Sequence, residues 1–135
     1  MASGNTVLIV DDEKEIREVF KNILTAGGYA VKTAESAEKG LDILKELRIL
    51  VIFSDLGLPA MNGYDFCKKI REKNPIAFIY AITGYSTIFD VFDSRAAGFD
   101  DFFIKPVSQE KILTAAREAF EKLERWNVLS YASTE

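Results

Sequence analysis

The chain has 135 residues, of which 48% are hydrophobic and 28% charged, a composition that excludes a disordered segment and fits one globular domain. A net charge of −4 without a basic stretch argues against nucleic-acid binding, and no apolar run is long enough to span a membrane. The first residues, MASGN, have no basic region or long apolar core, so we expect no secretion signal. The single cysteine excludes an internal disulfide, and we expect a cytoplasmic protein.

Apolar runs alternate with helical patterns along the chain. Short apolar runs bounded by turn residues predict strands at about 7–10, 29–33, 50–53, 77–82 and 102–104. Apolar residues at helical spacing predict helices at about 13–26, 36–47, 64–72, 86–97 and 108–126, with Ser36 and Ser108 as N-caps. This alternation predicts an α/β fold: a doubly wound, five-stranded parallel sheet with helices on both faces. We expect a single domain over 1–135, with its core at about 6–126 and a C-terminal tail at 127–135.

Polar side chains follow four of the five predicted strands. Asp11 and Asp12 follow the first strand, Asp55 the third, Thr83 the fourth, and Lys105 the fifth. Because the carboxyl ends of parallel strands meet at one rim of the sheet, we expect these groups to lie close together.

Three carboxylates on one rim repel each other, and a hard divalent cation would compensate them. Mg²⁺ prefers oxygen ligands and keeps several waters, so Asp12 and Asp55 could bind it directly and Asp11 through a metal-bound water. The backbone carbonyl of Gly57 could add a ligand. The Asp55 carboxylate could then attack phosphorus, while the metal, Lys105 and Thr83 stabilise the charge on the phosphoryl oxygens.

Each of these residues also has an ordinary interpretation. An Asp-Asp pair after a strand often caps a helix, Asp55 and Thr83 could be turn residues, and Lys105 could be a solvated lysine. These interpretations are independent of one another, and they do not explain why four strand ends carry the groups that one reaction needs.

The sequence resembles the response-regulator receiver family over about Thr6 to Arg125. The resemblance lies in four segments: VLIVDDE at 7–13, DLGLPAMNG at 55–63, ITG at 82–84 and AGFDDFFIKP at 97–106. Chemotaxis members of this family have a flavodoxin-like (βα)₅ fold with strand order 2-1-3-4-5, so the resemblance implies that order here.

The resemblance also implies a mechanism. A sensor histidine kinase or phosphotransfer protein would pass a phosphoryl group to Asp55, with Mg²⁺ bound by Asp11, Asp12, Asp55 and the Gly57 carbonyl. Lys105 would contact the phosphoryl group, and its bond to Pro106 would be cis. Thr83 and Phe102 would form a switch that changes the face made by helix four, strand five and helix five.

Helix four carries more aromatic residues than one buried stripe requires. Tyr85, Phe89 and Phe92 are either core residues or a surface for an unknown downstream protein or a second copy of the chain. Tyr85 could also shield the acyl phosphate, so we expect slow autodephosphorylation.

Other functions fit the sequence less well. A phosphatase with an aspartate nucleophile usually has a second aspartate two residues on, where this chain has Gly57. An interaction module that keeps only the fold would be expected to lack one of the acidic residues or the lysine. The glycine-rich motifs of nucleotide-binding folds do not occur. The sequence therefore predicts a phosphoacceptor switch that catalyses its own phosphotransfer.

Overall fold

The computed structural model describes residues 5–84 and 88–126, without the side chains of Ile88 and Phe89. Strands and helices alternate in this order: β1 (Thr6–Val10), α1 (Lys14–Ala26), β2 (Ala30–Ala34), α2 (Ala37–Glu46), β3 (Val51–Asp55), α3 (Gly63–Lys73), β4 (Phe78–Thr83), α4 (Ile88–Ala97), β5 (Asp101–Ile104) and α5 (Gln109–Arg125). Each predicted element is present with bounds shifted by one or two residues, and the predicted start of helix four, Ser86, lies outside the described residues. Within these residues, no helix is both long and apolar enough to cross a bilayer.

The strands form one parallel sheet in the order β2-β1-β3-β4-β5, which confirms the predicted fold class and strand order. The register pairs Val10 with Ser54, Asp55 with Ile82, and Thr83 with Ile104. The carboxyl ends of β1, β3, β4 and β5 are therefore level with one another, and the residues that follow them share one rim of the sheet.

The core lies on both faces of the sheet. Helices α1 and α5 pack together on one face, and α2, α3 and α4 follow one another on the other. The central strands β1 and β3 are buried at every position, as their continuous apolar runs predict. A row of aromatic rings runs from α1 across the strands to β5. The ring centroid of Phe53 is 5.7 Å from that of Phe20 and 5.0 Å from that of Tyr80, and the centroid of Tyr80 is 5.9 Å from that of Phe103.

Short polar residues and glycines set the ends of the helices. Ser36 and Ser108 cap α2 and α5 as predicted, each accepting a hydrogen bond from the backbone N–H three residues on. Asn62 caps α3 in the same way, although this cap is not among those predicted from the sequence. Gly28 and Gly98, after α1 and α4, have φ of 96° and 111°, which only glycine adopts without strain.

Candidate functional site

Three carboxylates meet at the rim of the sheet. Asp11 and Asp12 follow β1, and Asp55 ends β3. One carboxylate oxygen from each of the three lies within 4.8 Å of the others. Asp11 and Asp55 are buried, whereas Asp12 is exposed, so the cluster opens to solvent on one side.

The Lys105 ammonium contacts two of these three carboxylates and that of Glu13. Its Nζ atom is 2.9 Å from Asp11 Oδ2, 3.7 Å from Asp55 Oδ1 and 3.4 Å from Glu13 Oε1. The sequence predicts that a divalent cation compensates the carboxylates and that Lys105 contacts the phosphoryl group. In the structure Lys105 itself supplies one positive charge to the carboxylates. Glu13, the third acidic residue after β1, was not predicted to take part.

Burial and charge shift the acidity of two groups at the site. Burial, and then the nearby Asp11 carboxylate, raise the pKa of Asp55 above its usual value, although Lys105 acts in the opposite direction. Burial disfavours the charge on Lys105, but the carboxylates of Asp11, Asp55 and Glu13 outweigh it and raise the pKa of Lys105. Lys105 therefore stays protonated at neutral pH, while the ionised form of Asp55 is held at a cost in free energy.

Backbone and side-chain hydrogen bonds hold Asp11 in place. Its Oδ1 atom accepts a hydrogen bond of 2.9 Å from the backbone N–H of Glu13. Its carbonyl oxygen accepts one of 2.9 Å from the Arg17 guanidinium, one turn into α1. The Asp11 carboxylate is thereby oriented before any ligand binds.

The loop after β3 packs tightly against the Asp55 backbone. Gly63 begins α3, and its N–H donates to the Leu56 carbonyl over 3.0 Å. A Cβ atom at Gly63 would overlap the Asp55 carbonyl oxygen and lie 2.7 Å from Leu56 Cα. The backbone N–H of Gly57 donates to the Asp55 carboxylate. This loop therefore fixes the position of Asp55 relative to α3.

The ends of β4 and β5 are joined next to the acidic cluster. The backbone N–H of Lys105 donates to the Thr83 carbonyl over 2.7 Å, and Thr83 is buried. The Lys105–Pro106 peptide bond is cis. Phe102 is half-buried and packs against the core. The structure thus places Thr83 beside the backbone of the lysine that contacts the carboxylates.

The predicted partner surface is described only in part. Tyr85 lies outside the described residues, as does the side chain of Phe89. Phe92 is 67% exposed, and Ile104 on β5 is 56% exposed. Val91, beside Phe92 on α4, is 39% exposed. Phe92 is thus not a core residue.

The donor atoms fit a hard divalent cation. The three converging side-chain ligands are all carboxylate oxygens, which Mg²⁺ prefers over nitrogen or sulfur. The exposed Asp12 leaves room for water and phosphate oxygens, which a magnesium site usually retains. The residues present therefore fit the Mg²⁺ ion that the sequence predicts.

Comparisons with known proteins agree with this geometry. The family model of the response regulator receiver domain matches residues 7–117. The chain is 32% identical over 121 residues to the probable transcriptional regulator ycf27 of Cyanidium caldarium, covering 90% of this chain and 48% of that protein. The chain thus spans about half the length of that relative.

Solved structures show the same fold. A CheY-like response regulator receiver domain protein from Methanospirillum hungatei superimposes with a TM-score of 0.85 at 30% identity, over 90% of this chain and 97% of that one. The beryllofluoride-activated NtrC4 receiver domain dimer matches with a TM-score of 0.82 at 32% identity, over 87% of this chain and 97% of that one.

The chain belongs to the response regulator receiver domain family. It is a receiver domain of the two-component class, whose members are phosphoacceptor switches and not conventional enzymes.

Proposed function

We propose that Asp55 accepts a phosphoryl group from the phosphohistidine of a sensor kinase or phosphotransfer protein. One observation carries this proposal: the Asp55 carboxylate lies within 4.8 Å of two further carboxylates and 3.7 Å from the Lys105 ammonium. This arrangement combines a nucleophile, a set of oxygen ligands and a cation at one strand edge, as transfer of a phosphoryl group requires.

Each residue of the site has a distinct part in this reaction. An Asp55 oxygen attacks phosphorus, the bond between phosphorus and the histidine nitrogen breaks, and the imidazole leaves with the bonding electron pair. Asp11, Asp12, Asp55 and the Gly57 carbonyl would hold Mg²⁺, which neutralises negative charge between the carboxylates and the phosphoryl oxygens when bound. Lys105 turns from the carboxylates to a phosphoryl oxygen, a short movement for an ammonium already 3.7 Å from Asp55.

Thr83 and Phe102, the switch residues, then change position in response to the phosphoryl group. Thr83 ends β4, and its hydroxyl would move to the phosphoryl group while Phe102 turns inward. The face made by α4, β5 and α5 would change in consequence and bind a downstream protein or a second copy of the chain. Exposure of Phe92 and Ile104 on that face supports its use in binding. Slow autodephosphorylation, for which Tyr85 is the candidate shield, would return the switch to its resting state.

Incubation with acetyl phosphate tests the proposed acceptor. Intact mass should show one added phosphoryl group on the wild type in the presence of Mg²⁺ and none in EDTA. Asp55→Asn should remain unmodified, because its amide is not a nucleophile. Asp65→Asn, which changes an exposed aspartate at the start of α3, is the matched control and should be modified like the wild type. Modification of Asp55→Asn would refute the assignment.

A further inference from the structure

The described side chains of helix α4 bury little apolar surface. Over residues 90–97 only Ser94 and Ala97 are buried, and neither is a large apolar residue. Val91 and Phe92, the large apolar residues of this stretch, are exposed. Because buried apolar area is the main source of packing free energy, polar contacts have a larger share in fixing this part of α4.

Helix α3 supplies such contacts near both ends of α4. At the start of α4 the Tyr64 hydroxyl donates to Asp90 Oδ1 over 2.9 Å in a partly buried setting. At its end the Arg71 guanidinium donates to the carbonyl of Gly98, the residue after α4. Tyr64 and Arg71 lie two turns apart on α3, so α3 contacts the chain near both ends of α4.

Tyr64 is also tied to the phosphoacceptor. It follows Gly63, whose backbone packs directly against the carbonyl of Asp55. The Asp55 backbone therefore fixes the base of the Tyr64 side chain. Burial and the Asp90 carboxylate raise the pKa of Tyr64 to about 12, so its hydroxyl keeps the proton that it donates.

The other end of this hydrogen bond lies where the switch would act. Asp90 is in the first turn of α4, and that helix begins five residues after Thr83. If Thr83 moves toward a phosphoryl group, this first turn is the part of α4 nearest to it along the chain. The Tyr64–Asp90 hydrogen bond joins the same turn to α3 and would oppose its displacement.

We propose that Tyr64 is a positioning residue of the switch: its hydrogen bond to Asp90 holds the start of α4 in the position seen here and thereby weakens binding of the phosphoryl group at Asp55. This inference rests on the proposed function. A hydrogen bond made in only one of two states shifts the equilibrium between them by its own net free energy. Removing it should therefore favour the state that the phosphoryl group stabilises.

Beryllofluoride binding in saturating Mg²⁺, followed by calorimetry, tests the proposal. Tyr64→Phe removes only the hydroxyl and should bind beryllofluoride roughly three- to tenfold more tightly than the wild type. Hydrogen exchange of backbone amides at the start of α4 should also become faster in the unliganded variant. In an Asp90→Ala background Tyr64→Phe should have little further effect, because the hydrogen bond between the two side chains is already absent.

Tyr80→Phe is the matched control for loss of a tyrosine hydroxyl. The Tyr80 hydroxyl donates to the Ala115 carbonyl over 3.1 Å inside the core, away from the α3–α4 contact. This variant should lose stability without a change in beryllofluoride affinity. Equal affinities of Tyr64→Phe and the wild type would overturn the positioning role alone. A wild type that fails to bind beryllofluoride would overturn the proposed function and this inference with it.

Discussion

Asp55, the proposed phosphoacceptor, is a residue whose ionised form the fold holds at a cost in free energy. Asp55 is 7% exposed, and the adjoining Asp11 carboxylate adds repulsion to the penalty of burial. Its pKa is raised for these reasons, which means that the folded protein binds this proton more tightly than the unfolded chain does. In metal-free solution the ionised Asp55 side chain therefore lowers the free energy of unfolding at neutral pH.

Asp55→Asn should consequently stabilise the metal-free protein while abolishing its phosphorylation. In EDTA at pH 7 we expect the variant to unfold with a free energy about 1 kcal/mol higher than that of the wild type. The difference should shrink as the pH falls through the raised pKa and vanish below the ordinary value of 3.8. Urea unfolding at several pH values measures it, and a wild type more stable than the variant at pH 7 in EDTA would contradict the prediction.

The clustering of residues at the strand ends was predictable from the sequence. Contacts that depend on the conformation of a long side chain were not. Asp11, Asp12, Asp55 and Lys105 came from chain order alone, since parallel strands end on one rim. Glu13 was missed because its contact with Lys105 depends on the direction of a long side chain at the start of α1. Its place directly after Asp11-Asp12 was a signal that could have identified it.

At the scale of elements, the connection between β3 and α3 positions Asp55. Gly63 lets the first turn of α3 lie against the Asp55 carbonyl, and Asn62 caps that turn. Any side chain at Gly63 would have to displace backbone atoms of Asp55 and Leu56. The backbones of Gly63 and Asp55 thus lie so close together that only glycine fits at position 63.

Gly63→Ala should lower the free energy of unfolding by about 2–4 kcal/mol, although alanine is the better helix former. Its Cβ atom would overlap the Asp55 carbonyl oxygen, and backbone has little freedom to move aside. Gly57→Ala is the control, because a Cβ atom there meets nothing within 4 Å. Denaturant unfolding of both variants is the measurement, and equal stabilities would show that the connection is more compliant than its geometry indicates.

The elements themselves followed from local patterns, but the contacts between helices did not. Apolar periodicity, Ser36 and Ser108 were enough to place the helices, since these signals act over a few residues. The Tyr64–Asp90 hydrogen bond joins residues 26 apart on different helices. Nothing in the sequence marks such a pair, because it arises only when α3 and α4 pack side by side.

For the whole molecule, the exposed apolar residues of α4 and β5 predict association controlled by the switch. Phe92→Ser should reduce self-association in Mg²⁺ and beryllofluoride by at least roughly tenfold, since an apolar residue at an interface centre contributes strongly. Stability should change by no more than about 0.5 kcal/mol, because Phe92 is 67% exposed. Sedimentation velocity measures the association.

Val19→Ser provides the control for that experiment. Val19 is 49% exposed on α1, which packs on the opposite face of the sheet from α4. This variant should associate like the wild type. If Phe92→Ser and Val19→Ser weakened self-association equally, the loss would come from replacing any exposed apolar side chain and not from the position of Phe92. Wild-type protein that stays monomeric with beryllofluoride would rule out the homodimer and leave a different protein as the partner.

The contact between Lys105 and Asp11 also bears on how the protein is made. We expect a newly synthesised chain to bring its own counter-charge to the crowded acids, so that the sheet can form without a bound cation. Under the proposed function, folding of the domain and its readiness to accept a phosphoryl group would then be separate events. A shortage of magnesium would stop phosphorylation without exposing an unfolded chain to proteases.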